Sequence, residues 1–313
     1  NYIIYPFFLR RINDLPFYHA SPLDHEVDYF DIVSPYGYSG PLACVSDPNC
    51  RRDLWCGYLT AFDEYCQQAH IVCEFARLNP FVENEQYLLE ITDGVRATGQ
   101  ITYVDLTLPW EDVWRGFNRG NRSNINKAKR CGVRVERCED SSHWREFYDL
   151  YVATMRRNDA RDWYYFSPVF FADSFRLLRG KISLFHATYE GKIVAAASFL
   201  HFGDVVHYFL GGSDDNYLDL RPNNLLMYKA ICWAKEKGYH RFNLGGGYRP
   251  NDNLTRFKAA FSKSSATFYT YRKIHCPAIY EELCRRQTIF QLNRGRQAGD
   301  ADYFPKYRAG ASC

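Results

Sequence analysis

Three consecutive glycines, Gly245, Gly246 and Gly247, close the apolar run that begins at Phe242 and leads to Tyr248. A few residues on, Arg256, Phe257 and Lys258 stand together on a short helical stretch. Glycine suits a sharp turn or a close approach of backbone to a ligand. A lysine just beyond such a turn is placed to meet negative charge as it develops. That combination suits acyl transfer to an amine. The reaction needs a proton removed from the nucleophile, an oxyanion stabilised, and two substrates held in line. Asp105, at the end of an apolar strand, is a carboxylate able to take that proton or orient the amine. Each residue also has an ordinary reading. A helix lysine is usually solvated, and a strand-end aspartate commonly closes a turn or caps a helix.

A second group of residues could hold substrates. Between positions 115 and 137 lie Arg115, Arg119, Arg122, Lys127, Lys129, Arg130, Arg134 and Arg137, against the single acid Glu136. Guanidinium forks fit phosphate oxygens, so Arg122, Asn126 and Lys127 are candidates for a nucleotide diphosphate or the end of a tRNA. A solvated basic face is the competing reading. Tyr36 and Tyr38 flank Gly37 in a loop that can turn tightly and present phenol hydroxyls. Tyr208, Asn223 and Asn243 fall on elements expected to border the same cleft. The histidines are scattered, with no Ser-His-Asp or Cys-His order.

Composition narrows the classes. The chain of 313 residues holds one large or two ordinary domains. A net charge of +3 does not by itself make a nucleic-acid binder, and DNA is not an expected partner. No apolar run reaches the ~20 residues of a membrane span, and Tyr2–Leu9, interrupted by Pro6, reads as a strand. Eleven cysteines, none in a Cys-x-x-Cys pair, read as reduced thiols of a cytoplasmic protein. Cys44, Cys50 and Cys56 lack a zinc-knuckle spacing, and no metal is expected.

Strands are expected at Ile3–Leu9, Asp28–Val33, Ile71–Leu78, Gln86–Thr92 and Gln100–Leu106, with a helix at Arg51–Ala69. One basic helix is expected over Trp110–Cys131, then a short strand at Val133–Arg137. Helices capped by Ser141-Ser142 and by Ser167-Pro168 follow. Strands at Ile182–Tyr189 and Ile193–Phe202 join through a tight Glu190-Gly191 hairpin. Val205–Gly211, a helix over Asp219–Lys237, His240–Leu244, the Lys258 helix, Ala266–Lys273 and a final helix at Ala278–Leu292 complete the order. It is the order of a GNAT-type acyltransferase unit.

Four segments then resemble the FemAB family, aminoacyl-tRNA-dependent peptidyltransferases built of two GNAT-like domains. They are Ser34–Pro41, Thr102–Leu106 leading into Arg122–Val133, Tyr208–Leu226, and Leu244–Phe261. The resemblance implies an α/β (α+β) fold of two tandem GNAT-like domains with mixed sheets flanked by helices. Residues 1–130 would be the acceptor side and 131–313 the donor side. It implies that Lys258, in the matching Phe-Lys pair, lies at the active site, and that Asp105 matches an acidic residue considered as a base. The acceptor would be a peptide, a peptidoglycan precursor or a small amine. No heptad pattern long enough for the family's coiled-coil arm occurs, so the chain resembles the armless members.

The donor is the remaining question. Acetyl-CoA enzymes of the GNAT class hold pyrophosphate on a glycine-rich loop at a helix N-terminus. The corresponding stretch here, Asp219–Leu226, has no glycine, and Pro222 removes a donor. No Gly-x-x-x-x-Gly-Lys loop for ATP is present. An aminoacyl-tRNA ester, activated without a further cofactor, is therefore the expected donor. An acyl-CoA-dependent N-acyltransferase and a non-catalytic tandem-GNAT binding module are the alternatives.

Overall fold

The computed structural model describes residues 1–20, 27–82, 84–138, 142–247, 252–296 and 302–310. In chain order the elements are β1 (Tyr2–Ile4), β2 (Phe8–Arg11), α1 (Pro16–Ala20), β3 (Phe30–Val33), β4 (Leu42–Cys44), α2 (Arg51–Gln68), β5 (Ile71–Arg77), α3 (Asn84–Ile91) and β6 (Val95–Asp105). Next come α4 (Trp110–Gly116), α5 (Arg119–Arg130), β7 (Arg134–Cys138), α6 (Trp144–Arg157), α7 (Pro168–Leu177), β8 (Ile182–Tyr189), β9 (Lys192–Phe202) and β10 (Val205–Ser213). The chain ends with α8 (Pro222–Glu236), β11 (Arg241–Gly245), α9 (Asn253–Ala259), β12 (Ser265–Ile274) and α10 (Pro277–Leu292).

Two compact units result. The first comprises residues 1–99 and 267–313, the second 100–266. The chain passes into the second unit within β6 and returns within β12. The boundary expected between residues 130 and 131 therefore falls inside the second unit, between α5 and β7.

In the first unit, β5 is the central strand. It pairs in parallel with β3 and antiparallel with β12. Nearly every residue from Ile71 to Ala76 is buried, as in a strand covered on both faces. Trp55 of α2 packs with Ala76, Leu78 and Tyr271 on one side. Tyr280 and Leu283 of α10 pack with Val72 and Cys73.

In the second unit the strand order is β6-β11-β10-β9-β8-β7. The parallel pair β10 and β11 is joined by α8, and every other neighbouring pair is antiparallel. Leu225, Leu226, Ala230 and Ile231 of α8 pack on Val194, Phe199, Val206 and Phe242 of the sheet. Phe147, Tyr151 and Met155 of α6 pack with Leu184, Ala196 and Leu210 in a separate cluster.

Local chemistry accounts for most boundaries. Ser167 caps α7, with Phe170 N–H donating to its Oγ at 3.2 Å and Pro168 following. Glu190 and Gly191 turn the β8–β9 hairpin with φ of 49° and 78°. Four expectations fail. Ile3–Leu9 is not one strand: β1 ends at Ile4 and pairs with β4, while β2 begins at Phe8 and pairs with β3, with Pro6 between them. Gln86–Thr92 is not a strand: it lies mostly in α3, where only Leu88 packs fully into the core. The basic helix over 110–131 is two helices. Asn118 is extended and caps α5 by accepting from Asn121 N–H at 2.7 Å, and its own N–H donates to Ala260 O. The α6 N-cap is His143, whose side chain makes no capping hydrogen bond to the backbone, in place of Ser142, while Ser141 lies outside the described residues.

Candidate active site

The site grows from the way β10 and β11 part. Their parallel pairing covers Val205 to His207 against Arg241 to Asn243 and then stops, although β10 continues to Ser213 and β11 to Gly245. A bulge between Tyr208 and Leu210 on β10 coincides with the parting and re-aims the strand. In α/β sheets, ligands bind beyond the carboxyl ends of parallel strands that diverge in this way.

Asn243 fixes the end of β11. It is 2% exposed. Its Nδ2 donates to His207 Nδ1 at 3.0 Å, and its Oδ1 accepts from Gly245 N–H at 2.8 Å. His207 therefore carries its proton on Nε2. Burial pushes its pKa down to about 4, so the ring stays neutral and the chain of bonds stays intact near neutral pH.

The glycines perform separate tasks. Gly245 takes a φ of 75°, open to few other residues. A side chain on Gly247 would reach within 2.0 Å of Thr255 Oγ1 and 2.5 Å of Asp252 Oδ1. The loop thus lies directly on the first turn of α9. Asp252 caps that turn, accepting from Thr255 N–H at 2.6 Å.

Lys258 lies on the inner face of α9, beside Phe257, which packs edge-on against Phe261. The lysine is 7% exposed. Its Nζ donates to Gly246 O at 2.6 Å and stands 5.7 Å from the centre of the Tyr208 ring. Burial lowers its pKa to about 8, only partly opposed by the Asp252 carboxylate. A buried lysine held as a cation by one carbonyl and one aromatic face is uncommon. The reading of Lys258 as a solvated helix lysine is excluded. Arg256, on the same helix, is exposed.

Tyr208 is positioned by a missing side chain. A Cβ on Gly211 would lie 2.3 Å from the Tyr208 hydroxyl. At the other side of the parted strands, Ser213 ends β10. Its carbonyl accepts from Thr154 Oγ1 and Arg157 Nη1, and its hydroxyl accepts from Asn223 Nδ2 at 3.1 Å. Tyr208, Asn243, Lys258 and the three glycines therefore converge, with Asn223 on the rim of α8. His207, Gly211, Thr154, Arg157 and Asp252 support them and were not singled out from the sequence. The spacing Asp252-x-x-Thr255 was the one available signal, as a capping pattern.

The remaining candidates make other contacts. Asp105 pairs with Arg241 at the start of β11, whereas Gly245 pairs with Thr102. Four residues of strand, about 13 Å, separate it from the glycines. Its Oδ1 accepts from Thr107 N–H and Oγ1 at 2.9 and 2.6 Å, so the turn-closing reading describes it. Arg122 folds back on the end of α4, donating to the carbonyls of Trp114, Arg115 and Phe117. Asn126 is exposed and Lys127 half-buried on α5. Tyr36 and Tyr38 belong to the first unit, where Tyr38 meets Phe268 edge-on. Tyr248 lies outside the described residues.

Residues 115–259, all within the second unit, match the family model described as an acetyltransferase (GNAT) domain. No curated protein matches the sequence. Among solved structures the chain is similar to FemX, at 15% identity and a TM-score of 0.64, over 90% of this chain and 87% of that one. It is also similar to the C-terminal DUF2156 domain of a lysylphosphatidylglycerol synthetase candidate from Agrobacterium fabrum (17% identity, TM-score 0.52, 83% and 82% covered). L-PGS from Bacillus licheniformis is a third (16% identity, TM-score 0.51, 78% and 77% covered). At such identities the likeness is one of fold. The chain thus has a mixed α/β fold of the GNAT acyltransferase type, with the acetyltransferase-domain match and the Lys258 site both in its second unit.

Proposed function

We propose that the chain is an aminoacyltransferase that moves an amino acid from aminoacyl-tRNA to an amine of a peptide or peptide-like acceptor, in the cytoplasm and without a further cofactor. The observation that carries the acyl-transfer part is the buried Lys258 ammonium at the opening between β10 and β11. In the reaction the acceptor nitrogen attacks the ester carbonyl carbon. A C–N bond forms, the bond from that carbon to the ribose oxygen breaks, the amine gives up a proton, and the ribose oxygen ends protonated. Lys258 stabilises charge on the oxyanion and donates to the leaving oxygen. Asp105 is too far along β6 to be its partner, so the acceptor's proton leaves by solvent or through the substrate.

The donor assignment rests on the N-terminus of α8. A pyrophosphate needs several free backbone N–H groups there. Pro222 has none, and the N–H groups of Asn224 and Leu225 already donate to Arg221 O. Arg221 itself sits at φ 61° with no side-chain cap. This favours an ester donor over a CoA thioester. The FemX and L-PGS likenesses accord with it.

The acetyltransferase description of the matched domain favours a second reading, an acyl-CoA-dependent N-acyltransferase. Equilibrium binding separates the two. The aminoacyl-tRNA reading expects tRNA affinity that falls steeply with salt, as phosphate contacts require, and no saturable binding of CoA. Tight CoA binding with no affinity for tRNA would replace it by the second.

A further inference from the structure

At the opposite edge of the second unit's sheet, the β7–β8 pairing brings a distant histidine to a cysteine and a histidine that lie close in sequence. Cys138 ends β7, His186 lies on the paired strand β8, and His143 stands at the N-terminus of α6. One ligand atom from each lies within 4.8 Å of the other two. Cys138 Sγ is 3.0 Å from His186 Nδ1, and the two imidazole centres are 5.0 Å apart. The His186 side chain is 8% exposed, while Cys138 and His143 are partly open to solvent.

We propose that Cys138, His143 and His186 bind a divalent transition metal, zinc by preference, with solvent in the fourth position. Bonds of ~2.0–2.3 Å in a tetrahedron place ligand atoms roughly 3.3–3.8 Å apart, so atoms within 4.8 Å of one another need draw together by no more than about 1.5 Å. The surroundings are those of a metal centre. Glu146 Oε1 is 3.2 Å from His143 Nδ1, which leaves Nε2 of that ring as the ligand. Glu136 Oε2 is 4.0 Å from His186 Nε2, behind the Nδ1 that faces Cys138. A carboxylate hydrogen-bonded behind a metal-bound imidazole fixes its tautomer and raises its basicity, as Glu146 does for His143, while the exposed Glu136 is too far from His186 for a hydrogen bond. Thiolate and imidazole together select zinc over magnesium or calcium. Binding converts the Cys138 thiol to a thiolate and releases one proton to solvent.

The Lys258 site lies on β11 and the metal site on β8, three strands or about 14 Å away across the sheet. The metal therefore has no part in acyl transfer. It ties β7, β8 and the start of α6 together, and α6 carries the Thr154 and Arg157 that hold Ser213. The sequence reading expected no metal from the spacing of Cys44, Cys50 and Cys56; Cys138 and His143 stand five positions apart, and His186 joins them only through the β7–β8 register.

The test is metal retention by the full chain. Protein dialysed with Zn²⁺ and then against zinc-free buffer should keep one zinc per chain, and Co²⁺ should give a thiolate-to-cobalt charge-transfer band. Cys138→Ser should abolish that band and weaken zinc at least ~100-fold, Glu146→Gln by ~10-fold, and Cys56→Ser, on exposed α2, should do neither. His143→Ala, at a partly exposed ring, provides the same test if Cys138→Ser fails to fold. Absence of retained zinc in the wild-type protein, or undiminished retention in both ligand variants, overturns the proposal.

Discussion

Replacing Lys258 by methionine tests whether the lysine is kept for chemistry or for the fold. Methionine preserves the apolar stem and removes the charge. A depression from 10.5 to about 8 means that holding the ammonium in its site costs about 3 kcal/mol. Against this stand the charged hydrogen bond to Gly246 O, worth about 1.5–3 kcal/mol, and the Tyr208 ring, worth about 1 kcal/mol. The contributions nearly cancel, so Lys258→Met should change unfolding free energy by no more than about 1–2 kcal/mol in urea titrations. Turnover should fall by ~10²-fold or more, the usual loss when an oxyanion or leaving-group donor is removed. The assay is single-turnover transfer from labelled donor, with stability measured on the same preparations. A variant with near-native turnover removes Lys258 from the mechanism. A loss of stability above ~4 kcal/mol would make it a structural residue and would refute the cancellation argued here.

Four further outcomes are expected. Wild-type turnover should decline as pH rises through about 8, where Lys258 loses its proton, and the pH profile of the rate measures this. His207 has a folded pKa of about 4, below its unfolded value near 6.5, so the unfolded state binds more protons between those values. Stability should fall by up to about 3 kcal/mol as pH drops from 6.5 to 4, and His207→Gln should flatten that slope in acid titrations followed by circular dichroism. Gly211→Ala should lower turnover by displacing the Tyr208 hydroxyl, and adding Tyr208→Phe should restore part of the stability lost in thermal melts. Asp105→Asn should leave turnover within about twofold of wild type, because its carboxylate closes the turn at Thr107 and stands about 13 Å from the glycines; a ~10²-fold loss would return it to the mechanism.

The strands and helices of the second unit were largely legible because each has a local cause. Ser167-Pro168 writes a helix start, Glu190-Gly191 a hairpin, and Pro222 and Gly238 bound α8. The Lys258 helix was readable from its glycines and its capping pattern. What the sequence did not display was burial and register. Lys258 is dry because Gly247 lets the loop lie on α9, a contact of backbone with side chains that leaves no periodicity. Asp105 and Lys258 were both candidates for the chemistry, and only the β6–β11 register puts Asp105 four residues of strand away from the glycines that Lys258 meets. Gln86–Thr92 is rich in apolar residues and read as a strand, yet tertiary packing of Leu88 made it a helix. The break at Asn118 depends on Ala260 O, more than a hundred residues on, which accepts from the Asn118 N–H. Arg122 offered a phosphate fork to the eye, while in the fold it satisfies the carbonyls that α4 leaves open.

The most direct measurement is transfer itself. The chain is incubated with total radiolabelled aminoacyl-tRNA and an extract of acceptors, with and without RNase, beside a parallel reaction with labelled acetyl-CoA. The account predicts acceptor labelling that RNase abolishes, that Lys258→Met reduces at least ~10²-fold, and that acetyl-CoA does not replace. Labelling from acetyl-CoA alone, insensitive to RNase, would contradict it.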